Sequence, residues 1–438
     1  MKKVLIISHD FPPMGLGSVQ RVVKFIKYFP IYDWEPIVLT STPKKYFARD
    51  EFLLDEVNLA GAKIYRTPVR GSRNFLNDIR VTPFPNKRRR NFFSKLFSFF
   101  FIPDSPPSSR SWKRKALKIS KEIFTKHKID LIFSTAPPFN DFLIGAELRE
   151  KYGIPLVIDY RDSWLDSSFK FYPTPLHKFI NSKLEKKVLQ TADKVITINR
   201  RIKELILEQY HNLTHDDISI VPHFFDQDEI DSAKSMLPKT NKMRFTYAGT
   251  FINLYNPDYF FEALQVVFKR KPELRKKIEI CFAGEFSKED LNLILKYNLE
   301  GVSFIVGYVN HNEYVKYLLS SDVLLLFINN GKGSEMLSTV KLSEYFGARK
   351  PVLACIPEGV AKASLKKYDA VKICEPDDVN AIAETILEYY ELFDKNNLPV
   401  PNEKVIDNYN CEKLTQHMVR QFEFLLDVRT EFVRKDTV

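Results

Sequence analysis

Cysteine is scarce in this chain, and its spacing carries no pattern. Cys281, Cys355, Cys374 and Cys411 form no C-x-x-C or Cys/His arrangement, which argues against a disulfide framework or a zinc site. They read as buried thiols of a reducing compartment. Glycine is sparse too, at 14 in 438 residues, so the pair Gly15 and Gly17 stands out, although surface turns are the commonest use of glycine. No stretch reaches the ~20 apolar residues that span a bilayer. The nearest, FFSKLFSFFFIP at 92–103, is interrupted by Lys95 and two serines. After Met1-Lys2-Lys3 the chain enters a short strand-like run and then His9-Asp10, short of a signal-peptide apolar region, so a cytoplasmic protein is expected. Short-period repeats and low-complexity tracts are also missing.

What is present is alternation. With 438 residues and 44% hydrophobic composition, the chain exceeds one ordinary core and suggests two domains. Short apolar runs alternate with helical patterns, the signature of strand-helix-strand units in parallel sheets. The first half offers VLIIS (4–8), EPIVLT (35–40), AKIYR (62–66), DLIFST (130–135), PLVIDY (155–160), KVITIN (194–199) and ISIVP (218–222). The pattern restarts with MRFTYAG (243–249), KIEICFAG (277–284), VSFIVG (302–307), DVLLLFI (322–328), PVLACI (351–356) and AVKICE (370–375). The expected division is an N-terminal Rossmann-like domain at 1–222, a linker at 223–242, a second domain at 243–402 and C-terminal helices at 403–438 that cross back onto the first domain.

The formal net charge of +11 is unevenly placed. Residues 87–118 hold ten Lys/Arg against one acid, Asp104. Four consecutive basic residues, among them Arg88, Arg89 and Arg90, precede a run containing Phe97, Phe99 and Phe100. No nucleic-acid module accompanies this patch, so nucleic acid is not an expected partner. Cations beside phenylalanines suit an anionic bilayer surface. The competing reading is a helix packed on the first domain with its phenylalanines buried.

In open parallel sheets ligands sit at the carboxyl ends of strands. The first such loop, HDFPPMGLGSVQRV, has Gln20 where a dinucleotide fingerprint needs glycine, and it lacks the Gly-Lys-Ser/Thr ending of a phosphate loop. The second informative stretch is GKGSEMLSTVKLSEYFGARKPVLACIPEG at 331–359. Ser338 or Thr339 can cap a helix whose first turn carries Lys341, an arrangement that favours an anion. Glu344 follows on the same face as Lys341, where a carboxylate can accept both hydroxyls of a ribose. Without its surroundings the Lys341–Glu344 pair reads as an exposed helix pair.

With its two α/β halves the chain resembles a GT-B glycosyltransferase of family 4, in the branch that serves bacterial surface-polysaccharide assembly. The resemblance rests on SHDFPPMGLGSVQRV (8–22), STAPPF (134–139), IDYRDSW (158–164), ADKVITIN (192–199) and IVPHFFD (220–226). The second half adds YAGT (247–250), NPDYFFEAL (256–264), SDVLLLF (321–327) and VKLSEYFGARKPVLA (340–354). It implies two Rossmann-like domains with an interdomain cleft, the acceptor on the first and the nucleotide-sugar donor on the second, and transfer with retention at the anomeric carbon. It further implies a hexosyltransferase-like enzyme without a cofactor or metal, using a UDP- or GDP-linked sugar and a lipid-linked or saccharide acceptor at the inner face of the cytoplasmic membrane.

Carried over by residue, Glu344 corresponds to the ribose-binding glutamate, and Ser338, Thr339 and Lys341 face the diphosphate. Gly249 and Thr250 let backbone approach it, and Gly15 and Gly17 match the glycine loop that closes on the phosphates. Arg161 and Asp162 lie where the family has a loop near the reacting sugar, and with Lys341 they are the expected catalytic residues; a structural ion pair is the other reading of Arg161-Asp162. Three features depart from the family pattern. Met336 stands where the first glutamate of Glu-x7-Glu belongs, with Glu335 one residue early; GTFINLYNPD has Asn253 and Asn256 in place of the usual Arg and Lys; and IDYRDSW lacks the histidine. A nucleotide-sugar epimerase and an inactive membrane-docked binding protein remain alternatives.

Overall fold

The central apolar runs become strands buried on both faces, as parallel sheets covered by helices require, while the edge strands at 63–66, 303–307 and 371–374 stay partly exposed. The computed structural model describes residues 1–15, 17–42, 45–46, 48–67, 80–81, 111–166, 172, 174–233, 240–251 and 254–435. The chain divides into two compact units. Among the described residues, the first takes 1–222 and 411–435 and the second takes 223–410.

The first unit is built on a seven-stranded sheet. Its strands are β1 (Lys2–Ser8), β2 (Trp34–Thr40), β3 (Lys63–Arg66), β4 (Leu131–Ala136), β5 (Leu156–Tyr160), β6 (Lys194–Thr197) and β7 (Ile218–Ile220). They lie in the order β3-β2-β1-β4-β5-β6-β7, all neighbours parallel. The order reverses between β1 and β4, the switch point where loops from neighbouring strands diverge and leave a crevice. The second unit has six strands, β8 (Met243–Ala248), β9 (Ile278–Ala283), β10 (Ser303–Gly307), β11 (Val323–Phe327), β12 (Val352–Cys355) and β13 (Val371–Cys374), in the order β10-β9-β8-β11-β12-β13. Here the switch point falls between β8 and β11.

The helices that carry or support the residues near these switch points are α1 (Gly17–Tyr28), α2 (Trp112–Lys126), α3 (Asn140–Tyr152), α4 (Gln227–Ala233), α5 (His311–Leu319), α6 (Val340–Ala348) and α7 (Cys411–Lys435). The last of these packs on the first unit. Phe422 is fully buried against Phe29, Trp34 and Phe133, with ring centroids 5.4–5.9 Å apart.

Two stretches differ from their sequence reading. The polar segment 223–242 contains α4, whose Ile230 and Ala233 are buried in the core of the second unit with Phe346 and Leu342. Residues 403–410 stay with that unit as well, Ile406 being fully buried there. Alternation of a few apolar residues with acids looks like solvent-exposed linker until the surface that covers them is known. All four cysteines are buried and unbridged. Among the described residues no helix is long and apolar enough to cross a membrane.

Candidate functional site

The second unit gathers its chemistry at the β8/β11 switch point. β8 ends at Ala248, and Gly249 follows with φ +130°, a backbone conformation that side chains other than glycine rarely adopt. Lys341, from the first turn of α6, lies directly across this glycine. A Cβ at position 249 would sit 2.2 Å from Lys341 Cε and 2.6 Å from Nζ. The Lys341 ammonium donates to Tyr247 Oη at 2.7 Å, and that hydroxyl donates in turn to the Thr250 carbonyl at 3.2 Å. Nζ also stands 4.4 Å and 4.8 Å from the ring centroids of Tyr247 and Tyr255, the range of cation–π attraction. Burial pushes the Lys341 pKa down to about 7, with the Glu344 charge pulling the other way.

The start of α6 supplies anion-binding groups. Thr339 occupies the N-cap position in an extended conformation, yet its side chain makes no capping bond, and its buried Oγ1 has no hydrogen-bond partner. Helix N-termini leave their first N–H groups without intrahelical acceptors, so an unpartnered hydroxyl beside them and a lysine in the first turn make a ready cradle for a phosphate. Ser338 precedes this cap and is half-buried. Glu344 lies further along α6. Its Oε2 accepts from Tyr314 Oη at 2.6 Å, and its Oε1 is 4.0 Å from His311 Nε2. Burial raises the Glu344 pKa, while His311, the Tyr314 hydrogen bond and Lys341 oppose that rise.

Gly249, Thr250, Thr339, Lys341 and Glu344 are thus brought together at this switch point. The Lys341–Glu344 pair is not an exposed helix pair, since both side chains are enclosed. Sequence reading missed Tyr247, Tyr255, Tyr314, His311 and Glu229. Tyr247 was available from its place in YAGT, two residues before Gly249; His311 and Tyr314 share a face of α5 at i, i+3 spacing, but nothing local says which face turns toward Glu344.

If Lys341 must lie across Gly249, alanine at 249 displaces it and strains the backbone. Gly249→Ala is expected to weaken nucleotide binding at least about tenfold and to cost about 1–3 kcal/mol of stability, as sterically strained φ/ψ positions do. Titration of a nucleotide diphosphate into a folded G249A protein, beside a urea melt, checks both; unchanged affinity would refute the placement of Lys341 over the glycine as functional.

The remaining predicted residues belong to the first unit. Gly15 donates its N–H to the Ala48 carbonyl at 3.1 Å. Gly17 opens α1, and a Cβ there would meet nothing within 4 Å, so the unit itself does not require glycine at that position. Arg161 is buried, and its guanidinium donates to the carbonyls of Ala136 (3.2 Å), Ser18 (2.7 Å) and Pro137 (2.7 Å). It ties together the loops after β1, β4 and β5. These bonds position the loops, and its partners are carbonyls rather than the aspartate of an ion pair. Asp162 beside it is half-buried.

At the β1/β4 switch point, His9 Nδ1 is 2.7 Å from Asp10 Oδ1, and the buried Asp141 carboxylate accepts from His9 N–H at 2.7 Å and Trp112 Nε1 at 2.5 Å. Burial pushes Asp141 up to about 7, with His9 as the largest opposing influence. Trp112, which falls within the basic segment 87–118, is a core residue at the start of α2, 1% exposed. Arg88, Arg89, Arg90, Phe97, Phe99 and Phe100 lie outside the described residues.

Comparison with known proteins gives two adjoining matches. Glycosyltransferase Family 4 matches residues 17–229, and Glycosyl transferases group 1 matches residues 228–402. An uncharacterized glycosyltransferase of Methanocaldococcus jannaschii is 24% identical over 331 residues, covering 71% of this chain and 80% of its own. A glycosyltransferase from Rickettsia africae shares the fold at TM-score 0.61 and 15% identity, over 97% of this chain and 98% of that one. Sucrose-phosphate synthase from Thermosynechococcus elongatus does so at TM-score 0.60 and 15% identity, over 98% and 100%.

Proposed function

Since the chain belongs to the GT-B glycosyltransferases of the family 4 type, we propose that its second unit holds a nucleotide-diphosphate sugar and that the sugar passes, with retention, to a lipid-linked or saccharide acceptor. The observation that carries this reading is Lys341 laid across Gly249 at the start of α6, beside the unpartnered Thr339 hydroxyl. In the proposed complex the diphosphate rests on Ser338, Thr339, the first N–H groups of α6 and the Lys341 ammonium. Glu344 accepts from the ribose hydroxyls. The backbone at Gly249 and Thr250 approaches the phosphates, with Lys341 lying across the glycine.

The chemistry follows from where charge develops. As the bond from the anomeric carbon to the diphosphate breaks, negative charge grows on the leaving phosphate, and preorganised donors stabilise it without reorganisation. Lys341 is the cation of the site and takes over from the Arg and Lys missing between Gly249 and Asn256. In a front-face mechanism the departing phosphate accepts the acceptor's proton, so no protein nucleophile is needed. Arg161 keeps the loops of the first unit in place, and Asp162, Gly15 and Gly17 complete the proposed set of functional residues. A surface-polysaccharide role, with the segment 87–118 resting on an anionic membrane, is the biological setting this reading favours.

The test offers the full-length protein UDP, GDP and their sugars in a thermal-shift screen, because a ligand of the folded state raises the melting temperature. The donor found in this way is then supplied with a polyprenyl-diphosphate-linked saccharide or a free oligosaccharide. Glycosylated product with the donor's anomeric configuration, read by mass spectrometry and NMR, is the expected result. Conversion of donor to an isomer without acceptor would support the epimerase instead. Binding unaffected by Glu344→Gln would remove the donor site proposed here.

A further inference from the structure

Glu344 does not stand alone on α6. Tyr314 from α5 binds one of its oxygens, while His311, one turn earlier on α5, stands 4.0 Å from the other. His311 Nε2 is in turn 3.1 Å from Glu229 Oε2, a carboxylate contributed by α4. The three side chains are nearly closed to solvent, at 9% exposure for His311, 8% for Glu229 and 12% for Glu344. The imidazole is stacked on the Tyr314 ring, with centroids 5.5 Å apart and planes 18° from parallel, so it cannot swing without breaking that contact. To bond Glu229, Nε2 must carry a hydrogen.

Two carboxylates enclosed so near each other are costly unless a cation or donor stands between them, and that is where His311 sits. A carboxylate that is to accept two adjacent hydroxyls must keep both oxygens oriented and at least partly available. Tyr314 takes one lone pair of Oε2, whereas the 4.0 Å gap to Oε1 is too long for a hydrogen bond and leaves that oxygen open. The attraction across the gap is electrostatic, so it orients Oε1 without occupying it.

We propose that His311 and Glu229 are positioning residues that hold the Glu344 carboxylate on the ribose hydroxyls, and that this relay makes the site discriminate ribonucleotides from 2′-deoxyribonucleotides. The proposal rests on the reading of Glu344 given above. It differs from a purely structural role in one respect. Loosening the relay is expected to reduce chiefly the benefit of the 2′-hydroxyl, because Lys341 donates its hydrogen bond to Tyr247 on β8 and Thr339 Oγ1 has no partner on α4 or α5.

The experiment compares dissociation constants for UDP against 2′-deoxy-UDP, and for GDP against 2′-deoxy-GDP, in wild type, His311→Ala, His311→Gln, Glu229→Gln and Glu344→Gln. For the nucleotide that binds, wild type is expected to favour the ribose form by at least about tenfold, one hydrogen bond's worth of affinity to a charged group. In H311A the ribose form weakens by about that factor while the deoxy form changes less than about threefold. H311Q keeps a donor for Glu229 but loses the imidazole's electrostatic influence on Glu344, so it should behave as H311A; it also serves should H311A fold poorly. E229Q should show the same loss in smaller degree. If H311A and H311Q weaken both forms alike, or neither, while E344Q erases the discrimination, the relay is wrong and the ribose site stands. If E344Q leaves the discrimination unchanged, the ribose reading itself fails.

Discussion

Replacing Lys341 with methionine should cut transfer by about a hundredfold or more while making the ligand-free protein more stable. The loss follows from removing the cation nearest the proposed leaving phosphate, since a single preorganised donor at a developing negative charge is worth about 10²–10³ in rate. The gain in stability follows from burial. Lys341 is enclosed by the rings of Tyr247 and Tyr255 and by Gly249, which lowers its pKa from 10.5 to about 7. Between those two values the unfolded chain binds a proton at this lysine that the folded chain does not, so wild-type stability rises with pH across that window. Below pH 7 the full cost of the buried ammonium is present. The advantage of K341M in melting temperature should therefore be greatest below about pH 7 and fade toward pH 10.5.

Ligand binding reverses the balance. A diphosphate beside Nζ raises the lysine pKa again, so binding above pH 7 takes up a proton and affinity falls with rising pH, approaching tenfold per unit. Calorimetry in buffers of different ionisation enthalpy reads this uptake directly. A K341M protein that binds and transfers as wild type, or binds with the same proton uptake, would remove Lys341 from the site.

Asp159→Ala should destabilise the first unit by about 3–5 kcal/mol, the usual cost of leaving one partner of a buried ion pair alone. Asp159 is fully buried and Arg21 is 2% exposed. The carboxylate accepts from Arg21 Nε at 3.0 Å and Nη2 at 2.9 Å and from Thr135 Oγ1 at 2.8 Å. Arg21 spends its other donors on the carbonyls of Val221 and Pro222, both at 2.8 Å, so α1, β5 and the chain leaving β7 are joined at one point. Removing the aspartate strands the guanidinium, at a cost that is a large fraction of a domain's usual stability of roughly 5–15 kcal/mol. Replacing both partners together, Arg21→Met with Asp159→Leu, should recover most of the loss, because a buried pair gains little over packed apolar groups. Tryptophan fluorescence in a urea melt is a selective probe, since Trp34, Trp112 and Trp164 all lie in the first unit. A change under about 1 kcal/mol in D159A would show that the pair is not needed.

The sequence carried more of the fold than of the site. Val4–Ile7, Leu131–Phe133 and Leu324–Phe327 were legible as strands because a strand buried on both faces is a continuous apolar run, bounded by polar turns within a few residues. The loop before α6 was legible because a Ser/Thr cap, a lysine and a glutamate at helical spacing are local features. Arg21 and Lys24 are a different case. Both are charged residues of α1, yet both are buried, Arg21 against Asp159 and Lys24 against Glu56 at 2.7 Å. Their partners lie 138 and 32 residues away, and no local pattern shows which charge will be met. The surroundings of Arg161 were illegible for the same reason, since its carbonyl partners lie at the end of β4 and the start of α1, 24–143 residues away.

By itself, then, the sequence determined two parallel α/β units, the order of their strands along the chain, and the residue types Lys341 and Glu344 at a helix start. These depend on period and spacing, which act over a few residues. Only the tertiary structure decided that Lys341 crosses Gly249 between two tyrosines, that Glu344 faces Tyr314 and His311, and that α4 supplies Glu229 behind them. The hydrogen bonds and charge contacts among them join residues 30–94 positions apart, at distances of 2.6–4.0 Å. Which residues meet across such separations is set by how the strands order in the sheet and how the helices pack on it, and hydrophobic pattern alone does not encode it.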